Sequence, residues 1–224
     1  MKKILIFGSG GHSKVIVDII QNQGIYKILG FIDNKLPKGF KVLGYKVIGN
    51  DDDIDILIEK YQIYGGSIAI GDNFLRSLVI EKVKEKVKEA SKDFQFINCI
   101  HPKSHIALDV KMGEGNVLMP GAVINTSSEI GSFCILNTNS SIDHDNKFSD
   151  FVSVGPNAVC GGNVAIDKFS AIGIGATVIN DISIAQNCII GANSLVNKNT
   201  KSNSVYYGQS AKYIREHKFG DKYL

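Results

Sequence analysis

Residues 140–166 read SSIDHDNKFSDFVSVGPNAVCGGNVAI. Within them Ile142, Phe148, Val154, Cys160 and Ile166 stand at every sixth position. Two residues before each comes a mostly smaller one: Ser140, Asn146, Val152, Ala158 and Val164. Working outward, the apolar register holds without exception through Leu136, Ile130, Ile124, Leu118, Met112 and Ile106 on one side. On the other it runs through Ile172, Val178, Ile184, Ile190 and Val196. With 44% of the chain hydrophobic, such a run arises by chance about once in a million sequences. A period of six is neither the 3.6 of a helix nor the 2 of an ordinary strand; it is the hexapeptide repeat of a parallel β-helix. Each flat face is a short strand, one residue of it plugs the core, and each corner needs a small side chain. About five coils are expected between Ile106 and Val196, with no inserted loop.

The chain divides near residue 99, giving an expected α/β domain over 1–98, the β-helix over 99–200 and a tail over 201–224. Lys3–Gly8 reads as a buried strand ending in Gly8-Ser9-Gly10-Gly11-His12. A helix over Ser13–Gln23 follows, with Val15, Ile16, Ile19 and Ile20 inward. Lys27–Asp33 is a second strand, and Asn34–Asn50 a loop with hairpin character. Asp51–Asp53 form the acidic first turn of a helix reaching Lys60. Ser67–Ile70 is a strand and Asn73–Ser91 a helix with apolar Leu75, Leu78, Val79, Val83 and Val87. Strands alternating with helices predict a small Rossmann-like parallel sheet.

A net charge of +3 is too small to point to nucleic acid or a membrane surface. The apolar stretch of MKKILIFGSGGHSK is too short for a signal peptide, and no run approaches a membrane span. Cys134 and Cys188 are three coils apart, roughly 14 Å at strand spacing, beyond disulfide reach. Together with Cys160 at a plug position they read as small core fillers of a cytoplasmic protein.

Strand, glycine turn and helix aim backbone N–H groups at an anion. The dinucleotide fingerprint would carry glycine at its sixth position, where this chain has Ser13. A nucleotide-diphosphate-sugar site, a plain tight turn and an NAD site are the readings open to the turn, with Asp33 placed where a ribose-binding acid would be. Of the five histidines, His217 falls in the charged tail and is expected to be solvated. His101 and His105 (HPKSH) cap or pack, or less simply ligate metal. His144 alone lies inside the repeats, pointing outward between Asp143 and Asp145. A carboxylate beside an imidazole raises its basicity and fixes its tautomer, as a general base requires; the alternative is a solvated surface pair. One coil on from His144 stands Gly162, which would leave bare backbone above the imidazole, the arrangement of base and oxyanion donor that acyl transfer needs. Zinc hydrolysis would ask for several histidines among the coils.

These motifs together resemble the bacterial hexapeptide-repeat sugar acetyltransferases with an N-terminal nucleotide-sugar domain. That group comprises the bacillosamine-pathway UDP-4-amino-sugar N-acetyltransferases, perosamine N-acetyltransferases and sialic acid O-acetyltransferases. The resemblance runs over GxGGH at Gly8–His12, FxD at Phe31–Asp33, HP at His101–Pro102, DHD at Asp143–Asp145, GGNV at Gly161–Val164 and IGIGA at Ile172–Ala176. It implies a left-handed coil, acetyl-CoA as co-substrate, and a homotrimer with active sites between subunits. It further implies His144 as general base and Asp145 as the acid that strengthens it. Gly10, Gly11 and His12 would receive the nucleotide-sugar, with Asp33 and Asn34 beside them. Gly162 would donate to the thioester carbonyl, and Ile174 and Ala192 would contact the pantetheine arm through their backbone. Asn34 departs from a second acid common in bacillosamine enzymes. Ser153 stands where some members carry a CoA-contacting histidine, and the tail segment Gly208–Lys212 lacks the usual proline.

The expected activity is acetyl-CoA-dependent N-acetylation of a nucleotide-linked 4-amino-4,6-dideoxy sugar for surface polysaccharide or glycan synthesis. The alternatives are O-acetylation of a sialic or nonulosonic acid and, from another class, a non-catalytic sugar-nucleotide scaffold. Six basic residues of the tail region (Lys198, Lys201, Lys212, Arg215, Lys218, Lys222) either meet the phosphates of CoA or are solvated.

Overall fold

The structure is a computed structural model that describes residues 1–90 and 93–222. Ser91, the predicted end of a helix, and the last two residues of the tail lie outside the described residues. The chain forms two compact units, Met1–Pro102 and Lys103–Leu224.

The first unit is built on β1 (Lys2–Phe7), α1 (Gly11–Gln23), β2 (Tyr26–Ile32), β3 (Lys41–Val42), β4 (Tyr45–Gly49), α2 (Ile54–Tyr61), β5 (Gly65–Ile68), α3 (Asn73–Ala90) and β6 (Gln95–Phe96). Strand order is β3-β4-β2-β1-β5-β6, parallel throughout except for the β3–β4 hairpin. The core consists of Ile4, Leu5, Ile6 and Phe7 of β1 packed with Ile16, Val17, Ile19 and Ile20 of α1. Val17, not Val15, is buried on that face. The α1 crossover runs to one side of β1 and the α2 crossover to the other, so the topology reverses between β1 and β5. Crevices at the carboxyl ends of strands flanking such a reversal are where open α/β sheets bind ligands.

Helix α3 turns a different face inward from the one its leucines suggest. Leu75 and Leu78 are 54% and 41% exposed, while Asn73, Arg76, Ser77, Ile80 and Val83 are buried. The reason is polar: the Arg76 guanidinium donates to the carbonyls of Ile70 and Gly71 at 3.1 and 2.9 Å and to Asn73 Oδ1 at 2.6 Å. Those bonds fix the helix rotation and satisfy a buried cation that would otherwise be costly.

The second unit is a left-handed parallel β-helix. Its three faces stack the strands Ser141–Ile142, Lys147–Phe148 and Ser153–Val154 on their equivalents eighteen residues away, in register throughout. The plug residues are buried, Ile124, Ile142 and Ile166 at 0% and Ile184 at 1% exposure. At every sixth position from Gly115 to Asn193 the backbone is left-handed, with φ between 54° and 74°. Glycine, asparagine and aspartate tolerate that region best, and they fill most of these corners. Three phenylalanines break the pattern and form one column. Phe133, Phe151 and Phe169 stack at centroid spacings of 5.5 and 4.9 Å, burial and stacking that offset the cost of a bulky residue at positive φ.

The four cysteines are free and buried, and burial pushes the Cys99 and Cys160 thiols up to about 12. Residues 201–222 continue the second unit. Ser204–Tyr207 pairs parallel with Ile189–Ile190, and Lys212–Glu216 pairs antiparallel with it, covering the last edge of that sheet. His217 is not solvated as its charged neighbourhood suggested. It is 4% exposed, with Nδ1 3.2 Å from Asn187 Oδ1.

Candidate active site

His144 and Asp145 sit at the corner between the Ser141 and Lys147 faces, with Asp145 itself left-handed at φ 60°. That twist turns its carboxylate back onto the imidazole, Oδ2 lying 2.7 Å from Nδ1. In the neutral ring a carboxylate acceptor at Nδ1 favours the proton there and leaves Nε2 as the unprotonated nitrogen. The hydrogen bond to Asp145, and after it the charge of Asp143, holds the imidazole above its ordinary pKa. Asp143 stays charged because Asn125 Nδ2, at 3.1 Å, and the His144 N–H, at 2.9 Å, donate to its Oδ1 and hold it below the usual carboxylate range.

Gly162 lies against the ring. A Cβ there would fall 2.6 Å from His144 Cε1 and 2.8 Å from Nε2. Its φ does not demand glycine; the space occupied by the imidazole does. Its carbonyl accepts from Asp181 N–H at 3.1 Å, while its own N–H has no partner among the described residues. An exposed base and a free backbone donor therefore share one corner, as a reaction that removes a proton while creating an oxyanion requires.

The glycine turn of the first unit has different chemistry. Gly8, at φ 95°, closes the turn after β1, where a side chain would strike Ile70. Gly10 and Gly11 face open space, and Gly10 caps α1 without a side-chain bond, so the first N–H groups of the helix stay available to an anion. Ser13, in place of a third glycine, is buried and donates from Oγ to the Gly10 carbonyl at 2.7 Å. His12 is half-buried, with Nε2 enclosed and without a partner among the described residues. Burial, and after it the Arg76 charge, lowers its pKa to about 4, so the ring is neutral at working pH. Burial would raise the Asp33 carboxyl, but bonds from Ser9 Oγ, from the N–H groups of Lys35 at 2.8 Å and Leu36 at 3.0 Å, and from Ser9 N–H at 2.9 Å hold it below its usual range. Asn34 is locked to Asp51 by a reciprocal pair, Nδ2 to Oδ2 at 2.7 Å and Asp51 N–H to Asn34 Oδ1 at 3.1 Å.

Known proteins share both halves. Residues 3–83 match the PglD N-terminal domain. GDP-perosamine N-acetyltransferase of Escherichia coli O157:H7 is 29% identical over 179 residues, 77% of this chain and 76% of that protein. A histidine-to-alanine variant of GDP-perosamine N-acetyltransferase from Caulobacter crescentus, in complex with CoA and GDP-perosamine, superposes with a TM-score of 0.89 at 29% identity, covering 96% of this chain and 98% of that one. Over nearly its whole length the chain is similar to sugar-nucleotide N-acetyltransferases of hexapeptide-repeat architecture. The acetyltransferase domain of PglB from Neisseria gonorrhoeae FA1090, in complex with acetyl coenzyme A, agrees at a TM-score of 0.86 and 27% identity over 95% of this chain and 99% of that one.

The chain keeps its candidate residues in separate groups. His144, Asp145 and Gly162 share a corner. Ile174 and Ala192 are exposed and stacked at the corner between the Ser153 and Ser141 faces, and their N–H groups have no partner among the described residues. One flat face thus separates the two columns within a chain. Ser153 lies on neither corner but on the flat strand between Ile135 and Ala171. Sequence reasoning missed Arg76, Asn125 and Asn146. A charged residue on the leucine-bearing stretch of α3 was the available signal for Arg76. For Asn125 the signal was its place one coil before Asp143.

Proposed function

We propose that the protein transfers the acetyl group of acetyl-CoA to the amine of a nucleotide-linked 4-amino-4,6-dideoxy sugar, in surface polysaccharide or glycan biosynthesis. The observation that carries this reading is the imidazole of His144, paired to Asp145 and lying against the bare Cα of Gly162, whose N–H is free. The Caulobacter crescentus protein's complex with CoA and GDP-perosamine and the Neisseria gonorrhoeae domain's complex with acetyl coenzyme A support it.

In this reading the sugar amine attacks the thioester carbonyl carbon while Nε2 of His144 takes the amine proton. The new C–N bond leaves the carbonyl oxygen negative, and Gly162 N–H donates to it. The C–S bond then breaks as the oxyanion collapses, and the thiolate of CoA leaves, collecting the proton from His144. Asp143 and Asp145 keep the imidazolium favourable in between. The exposed backbone N–H groups of Ile174 and Ala192 suit the amide-bearing pantetheine arm and would hold it. Since a flat face divides them from His144, one thioester reaching both columns fits a homotrimer with the site between neighbouring subunits. Gly10, Gly11 and His12 would receive the nucleotide-sugar, with Asp33 and Asn34 shaping the adjoining loop. Four free, buried cysteines suit a reducing cytoplasm.

Mass spectrometry after incubation with acetyl-CoA and a panel of UDP-, GDP- and dTDP-4-amino sugars plus sialic acids tests the reading. An acetylated 4-amino sugar nucleotide is expected. Acetylation of sialic acid alone would replace it with O-transfer, and no turnover of any acceptor would favour a binding scaffold.

A further inference from the structure

Asn146 follows the catalytic triplet and points inward, 0% exposed. Its Nδ2 donates to the carbonyls of Asp143 at 2.7 Å, His144 at 3.1 Å and Gly161 at 2.9 Å. One amide therefore grips the residue before the imidazole, the imidazole's own residue, and the residue before Gly162. The His144 carbonyl also accepts the N–H of Asn163, which follows Gly162.

Other inner corners show what is unusual here. Asn116, the matching asparagine two hexads before Ser128, donates to Gly113 and Gly131 carbonyls at 3.0 Å each, and its Oδ1 accepts Cys134 N–H at 2.7 Å. Ser128 and Ser170 donate to the next coil, to the carbonyls of Asp143 at 3.1 Å and Ala185 at 2.8 Å, while Ser140 Oγ, like Asn146 Oδ1, is buried without a partner among the described residues. At Asn146 the buried Oδ1 accepts nothing among the described residues, and the amide reaches the His144 carbonyl instead. A buried oxygen left unsatisfied is unfavourable for the fold, and breaches of local rules concentrate at functional sites.

We infer that Asn146 is a positioning residue that clamps the His144 turn to the coil carrying Gly162, fixing the distance between the proton acceptor and the oxyanion donor. The inference rests on His144 acting as the base. A clamp of this kind affects the transition state through geometry, where a displacement of about 1 Å is enough to slow a reaction strongly.

Asn146→Ser is the discriminating variant. By analogy with Ser128 and Ser170 it keeps the bond to the next coil and loses the two within the His144 turn. With acetyl-CoA and the 4-amino sugar nucleotide that the wild type turns over best, kcat should fall about tenfold while both KM values stay within about twofold. In a His144→Ala background the same change should cost nothing more. Asn116→Ser, the same change at a distant inner corner, should leave kcat unaltered. If the serine variant is unstable, Asn146→Val serves, since Val152 and Val164 fill equivalent inner corners at 0% and 1% exposure and a valine donates to none of the three carbonyls. Wild-type kcat in both Asn146 variants, with His144→Ala impaired, would overturn the clamp alone. An equal loss with and without His144 would reduce Asn146 to a structural residue. Wild-type turnover in His144→Ala itself would remove the base reading, and the clamp with it.

Discussion

His144 and His12 stand in opposite surroundings, one in each unit of the chain. His144 is solvent-facing, bonded to one carboxylate and close to a second, and is held above its ordinary pKa. His12 is enclosed near a buried guanidinium and is held down to about 4. The first imidazole is exposed and paired with a carboxylate; the second stays neutral with its Nε2 enclosed. Environments that push like groups apart assign them different tasks. Under the proposed function the assignment is base at the coil corner and neutral ligand contact at the glycine turn.

Breaking the comparison at its stronger end has the largest effect. General-base help is worth about 10²–10⁴ in rate, so His144→Ala should lose that much kcat in the acetyl-transfer assay, with acetyl-CoA affinity by calorimetry nearly unchanged. Gly162→Ala should come next, at about 10² in kcat. Its Cβ would occupy the space of the imidazole and push the exposed ring aside; near-wild-type Tm would separate this from misfolding.

Asp145→Asn should cost about tenfold and also sharpen the comparison through pH. The base works when neutral, so kcat/KM rises as pH rises through the pKa of His144. Removing the carboxylate that raises that pKa should move the inflection of the pH–rate profile to lower pH. An inflection that stays in place or moves up would contradict the role given to Asp145.

The smallest effect belongs to the other imidazole. His12→Ala should raise KM for the nucleotide-sugar about tenfold, the worth of one hydrogen bond near a charged ligand, and leave KM for acetyl-CoA within error. Tight NADH binding by calorimetry would instead reinstate a dinucleotide reading of the turn.

What could be read beforehand divides along physical lines. The hexad register from Ile106 to Val196 was legible because each coil imposes the same burial on every sixth residue. The left-handed corners leave a second series of glycine, asparagine and aspartate that Phe133, Phe151 and Phe169 interrupt, and the ring stacking that compensates them is a property of three coils at once. The corner of His144 and Gly162 followed from stacking at eighteen residues. The rotation of α3 did not follow, because Arg76 bonding to loop carbonyls outweighs the apolar pull of Leu75 and Leu78. Nor did the burial of His217, since the repeat ends at Val196 and the closing strands carry no period. Asn146 looked like one more small corner residue until its three carbonyl partners were seen.

The most direct test of the contrast is an NMR pH titration of the histidine rings in the intact protein, assigned with His144→Ala and His12→Ala. The His144 ring should titrate above its ordinary value of 6.5, and the His12 ring should remain neutral until pH falls to about 4. Both rings titrating together near 6.5, or His12 above His144, would contradict the roles assigned to the two histidines.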